Sequence, residues 1–158
     1  MRSIWFLDCL VRVPEHGYAP DGRYAVLEFT APAGSQPPPH IHHDEDEGFY
    51  VLDGEITLHT PDGALTLGPG EAAHGPQGVP HTVRAGAEGV RMLVISAPAG
   101  FADFVEEMGV PAERDALPVL SGPPDIVRLT EVAARHGIEF VGAPGTLPAP
   151  ARPEPARG

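Results

Sequence analysis

Glycine and proline break this chain at near-regular intervals, and the segments between them are short and rich in strand-forming residues. Nine such runs precede residue 97: Ile4–Val13, Tyr24–Thr30, His40–His42, Glu47–Leu52, Glu55–Thr60, Ala64–Leu67, Glu71–His74, His81–Ala85 and Val90–Ser96. Turn pairs punctuate them: Asp21-Gly22, Asp53-Gly54, Asp62-Gly63 and Pro69-Gly70. Many short strands at this spacing predict an all-β sandwich or barrel.

Beyond Ser96 the periodicity lengthens. In GFADFVEEMGV, residues Phe101, Phe104, Val105 and Met108 share one helical face and Gly109 ends it. PPDIVRLTEVAARHG repeats the pattern with Ile126, Leu129, Val132 and Ala133, and Gly137 follows. The expected organisation is a β-barrel over 1–98, a helical extension over 99–141 packed on it, and a flexible Pro/Ala/Gly tail over 142–158. With no lysine and a formal net charge of −12, the chain should repel phosphate backbones and anionic lipid surfaces. Nucleic acid and membrane partners are therefore not expected. Cys9 is the only cysteine, so nothing points to an oxidising compartment. Asp8 interrupts the apolar N-terminus, which reads as a strand and not as a leader, and a cytoplasmic location is expected.

One stretch does not fit a plain barrel. HIHHDEDE crowds three histidines and four acids ahead of the apolar run GFYVL. Residues two apart on a strand share a face, so His40 and His42 can point the same way. In the next strand Glu47, Phe49 and Val51 share a face, and a carboxylate among apolar neighbours needs a partner such as a metal ion. The turn residues His43, Asp44, Glu45 and Asp46 read as a solvated hairpin tip. Downstream, in GEAAHGPQGVPHTV, the turn Pro76-Gln77-Gly78 leads to His81 at the start of a strand.

The spacing Gly34-x5-His40-x-His42-x4-Glu47-x6-Gly54 resembles the first cupin motif, and Gly70-x5-Pro76-x-Gly78-x2-His81 resembles the second. Ala85 stands where that family often has an asparagine that is not a ligand. Over roughly Ser3 to Gly142 the chain is similar to bacterial single-domain cupins described as quercetin 2,3-dioxygenase-like. The resemblance implies a jelly-roll β-barrel with two C-terminal α-helices. It also implies one divalent metal ion per chain (Fe, Mn, Ni, Co or Zn), held by His40, His42, Glu47 and His81. An incompletely filled coordination shell marks a working site.

Around that centre, Phe49, Val51 and Ala72 are candidate substrate-pocket residues, and Glu47 and His74 candidate catalytic ones. His74 lies among small residues that would leave room for a pocket. The resemblance implies a small-molecule substrate and, first, a dioxygenase acting on an enol or phenol of flavonol or polyketide type. There Glu47 would double as the base. A redox-neutral cyclase, isomerase, decarboxylase or dehydratase is the alternative, and a non-catalytic ligand-binding module a third. The apolar N-terminal run and the two helical stripes exceed what one barrel needs, which predicts a homodimer.

Overall fold

The computed structural model describes residues 1–151. Its strands are β1 (Arg2–Phe6), β2 (Cys9–Val13), β3 (Ala25–Ala31), β4 (His40–His42), β5 (Asp46–Thr60), β6 (Gly63–Leu67), β7 (Ala72–Gly75), β8 (Thr82–Ala97), β9 (Val110–Pro111) and β10 (Ile138–Phe140). The helices are α1 (Gly100–Met108) and α2 (Ile126–Arg135). An antiparallel sheet runs β6-β5-β8-β3-β2-β1-β9, and β7 pairs with the first part of β5 along the same edge as β6. A second, two-stranded sheet pairs β4 with β10. The mostly-β architecture with two trailing helices agrees with the expected jelly roll.

Parity explains most of it. β3 alternates buried and half-buried residues along its whole length, with Ala25, Leu27, Phe29 and Ala31 inward. Five expected runs resolve differently. Ile4–Val13 is a hairpin, not one strand, turning at Leu7 with φ 54°. Glu47–Leu52 and Glu55–Thr60 are one strand, β5, and His81–Ala85 and Val90–Ser96 merge in β8. Asp53-Gly54 is thus a bulge within β5, where register against β8 shifts on both sides. Gly54 has φ 77°, and a Cβ there would meet the Gly89 carbonyl oxygen at 2.3 Å. Only glycine lets the two long strands cross so closely.

The helices belong to the same core as the barrel. Phe104, Val105, Leu129 and Val132 are buried together with the inward faces of β1, β3, β5 and β8. Phe6 packs edge-on against both Phe29 and Phe104, with centroids 6.4 and 5.5 Å away. Asp125 caps α2 by accepting from the Arg128 amide at 3.0 Å. Glu107 of α1 accepts from Arg135 and His136 at the end of α2, which ties the helices together. α1 has no side-chain cap from its own N-cap residue, Ala99.

Beyond β10, the Val141 amide donates to the Pro39 carbonyl at 2.8 Å. Gln36 donates to the Thr146 carbonyl at 3.1 Å, and Pro148 is buried. Residues up to 151 therefore run along the barrel, while 152–158, the end of the expected tail, lie outside the described residues. Among the described residues no helix is long and apolar enough to cross a membrane.

Candidate metal centre

β4 brings His40 and His42 to one face, both buried, with Ile41 between them pointing away. β5 supplies Glu47, its first inward-facing residue, and the residue before β8, His81, bridges back to His40 through paired backbone bonds of 3.0 and 2.9 Å. The four side chains converge: one donor atom from each lies within 4.8 Å of the others. Glu47 Oε2 is 3.0 Å from His81 Nε2 and 3.1 Å from His42 Nε2.

Each imidazole is oriented from behind. His40 Nδ1 donates to the Pro38 carbonyl at 2.8 Å and His81 Nδ1 to the Val79 carbonyl at 3.1 Å. His42 Nδ1 donates to Glu45 Oε1 at 2.9 Å. A carbonyl can only accept, so in the neutral rings the proton sits on Nδ1 and the Nε2 lone pair faces the centre. The Nε2 of His42 is a buried polar atom with no hydrogen-bond partner, although a carboxylate oxygen stands 3.1 Å away. A lone pair opposing a buried carboxylate calls for a cation between them.

The charges lead to the same conclusion. Burial works against a charge on His42, yet Glu47 and Glu45 outweigh it and push its pKa up to about 10. Burial alone would raise Glu47, but His42 and His81 hold its carboxyl well below the usual range. His40 is pushed down to about 3, first by burial and then by His81. The protein alone thus keeps one carboxylate ionised and places one proton beside it. Three imidazole nitrogens and one carboxylate oxygen, all pre-oriented, fit a first-row divalent ion, and this set can hold one.

The centre opens on a cavity of about 430 Å³. Phe6, Phe29, Phe49, Phe101, Phe104 and Met92 form much of its wall, and no arginine among the described residues lines it. Its charged residues are Glu47 and Asp8, the latter accepting from Ser35 Oγ at 2.9 Å and Cys9 Sγ at 3.3 Å. Asp8 and Ser35 were invisible as site residues in the sequence, because the hairpin turn at Leu7 and a distant loop meet only in the fold.

Four expectations need correction. His74 does not reach the cavity: it pairs across from Gly48 on the outer face, 63% exposed, near Asp46. Ala72 is also outside, opposite exposed Tyr50, and it is Ala73, opposite Phe49, that packs inward. A four-residue strand of small residues carries no parity signal that could have told these apart. Val51 does point inward but is fully enclosed in the core and does not line the cavity. Glu45, read as solvated, is 3% exposed beneath His42, whereas His43, Asp44 and Asp46 are exposed as expected.

A β-barrel that gathers three histidines and a glutamate at the mouth of an apolar interior has the fold and the site of a cupin. Residues 27–96 match the Cupin domain family, and that segment is a cupin domain. Over 98 residues the chain is 30% identical to quercetin 2,3-dioxygenase of Bacillus subtilis (strain 168), covering 62% of this chain and 29% of that one. The chain thus spans under a third of the length of this curated relative. Among solved structures, an RmlC-like cupin from Shewanella frigidimarina NCIMB 400 superposes with a TM-score of 0.55 at 17% identity, covering 63% of this chain and 86% of that one. KdgF from Halomonas sp. gives 0.52 at 18%, covering 58% and 79%. At these identities the two structures speak for the fold alone.

Proposed function

We propose that this chain is a metal-dependent dioxygenase acting on a small enol or phenol of flavonol or polyketide type. The observation that carries the reading is the pairing of a three-histidine, one-glutamate centre with an aromatic cavity that no arginine among the described residues lines. Beyond the metal centre itself, an anionic sugar acid or phosphate would find no arginine among the described residues that line the cavity, whereas a flat, neutral ring system would bury its faces against phenylalanine. The 30% identity to a quercetin 2,3-dioxygenase supports the oxygen-dependent choice.

A divalent ion held by His40, His42, Glu47 and His81 would act as a Lewis acid on the substrate's oxygens and lower the pKa of its hydroxyl. Glu47, ionised in its buried position, accepts that hydroxyl proton on its carboxylate. The phenylalanine wall excludes water and fixes the ring plane, and Asp8 with Ser35 offers acceptors to a donor group on the substrate.

The test reconstitutes the protein with Fe²⁺, Mn²⁺, Co²⁺, Ni²⁺ or Zn²⁺ and follows flavonols and related enols with and without air. Oxygen uptake matching substrate loss is expected. Full anaerobic turnover overturns the dioxygenase in favour of a redox-neutral enzyme, and stoichiometric binding without turnover in any arm leaves a binding module.

A further inference from the structure

His40 and His81 are oriented by backbone carbonyls only two residues away in their own segments, which move with them. His42 alone depends on a side chain. That side chain, Glu45, is 3% exposed, and its two oxygens have different duties. Oε1 accepts from His42 Nδ1 at 2.9 Å, and Oε2 accepts from the Phe101 amide at 2.8 Å, in the first turn of α1. The helix has no cap of its own, so this carboxylate, from 56 residues away, serves as one and meets the positive end of the helix. The fit is close: a Cβ on Gly100 would approach Oε2 to 3.3 Å. Phe101 also sets its ring edge-on to the His42 imidazole, with centroids 5.5 Å apart.

We infer that Glu45 is a positioning residue of the metal centre, holding His42 in the tautomer that presents Nε2 and tying that one ligand to the helix that walls the cavity. The inference rests on the metal-binding reading above. Its physical basis is that two buried donors need two acceptor oxygens in fixed places, and the Glu45 side chain supplies both. Glutamine has one oxygen. Either His42 or the Phe101 amide then loses its acceptor, and an amide NH₂ turned toward Nδ1 favours the tautomer with its proton on Nε2, which cannot ligate. A shift of α1, whose Phe101 and Phe104 line the cavity, thus reaches His42 through Glu45 and the Phe101 ring.

The experiment titrates full-length wild type, Glu45→Gln and Glu45→Ala with Co²⁺, recording affinity, the visible spectrum of the bound ion and the metal-free melting temperature. The exposed neighbour His43→Ala serves as control. Both Glu45 variants are expected to bind Co²⁺ about 10- to 100-fold more weakly and with an altered spectrum, while His43→Ala matches wild type. Wild-type affinity in Glu45→Gln overturns the inference. So does an unchanged spectrum at any affinity, because Glu45 is then only a cap for α1. Should Glu45→Ala fail to fold, Glu45→Gln, nearly equal in volume, decides alone. Wild-type protein that takes up no Co²⁺ overturns the metal reading and the inference together; wild-type uptake with unaltered variants overturns the inference alone.

Discussion

A single oxygen, Glu47 Oε2, faces two imidazole nitrogens at 3.0 and 3.1 Å, and the whole centre can be understood as a contest for the space among them. Without an ion, the raised pKa of His42, about 10, means that a proton occupies that space at neutral pH. An ion binding through Nε2 must displace it. Affinity is therefore expected to rise with pH, by about tenfold per unit for one proton released, between about pH 6 and about pH 8. Titrations in two buffers of different ionisation enthalpy measure the released proton directly; affinity independent of pH would contradict the assignment of the proton to His42. Replacing His40 and His42 together with alanine removes two of the four donors, and elemental analysis should then find the protein without metal. Full occupancy in that variant would refute the ligand set. His40, His42 and Glu47 were legible from strand parity, since two histidines and a glutamate shared faces with apolar neighbours. Glu45 was not. It sits in a loop without periodicity, and one of its partners, the Phe101 amide, belongs to a helix that only the fold brings near.

Strands announce themselves through alternation, but alternation does not say where one strand ends. Gly54 illustrates the ambiguity: Asp-Gly is a hairpin signal, yet here β5 continues through it because β8 runs alongside on both sides of the bulge. Gly54→Ala combines a left-handed backbone with a direct clash against the Gly89 carbonyl. Chemical denaturation should show a loss of about 3 kcal/mol or more, and a loss within experimental error would mean that the crossing is looser than described. The three-residue β10 was equally illegible, being too short for any pattern, although it matters to the site. It pairs along all of β4, the strand carrying His40 and His42. Truncation after Gly142 removes Pro144 from the cavity wall but keeps that pairing, so folding and metal uptake should survive. Truncation after Arg135 removes β10 and should weaken the metal. Equal metal affinity in the two truncated proteins would show that β10 does not support the centre.

At the scale of the molecule, the surfaces that argued from sequence for a homodimer are already covered by the chain itself. Ile4, Val11 and Val13 are buried within the barrel, and the apolar faces of α1 and α2 close it. Among the described residues Ile126 and Val127 of α2 stay exposed, and so does the outer edge of β6, one end of the large sheet. Its sequence GALTL contains no charge and no proline, the usual devices that keep a lone edge from pairing. Leu65 sharpens the point: it lies opposite buried Leu58, on the inner face of the sheet, yet is 51% exposed because no strand among the described residues continues beyond it. A second copy adding its own β6 antiparallel to this one would supply the missing neighbour to both chains, under the two-fold symmetry that such pairing demands. We therefore propose a homodimer formed through β6. Light scattering at micromolar concentration should give twice the chain mass of 16.6 kDa, and Leu65→Lys, which places a charge on the edge and removes the apolar contact, should return the monomer. A wild-type protein found only at 16.6 kDa would rule the dimer out, and a dimer unaffected by Leu65→Lys would move it to another surface.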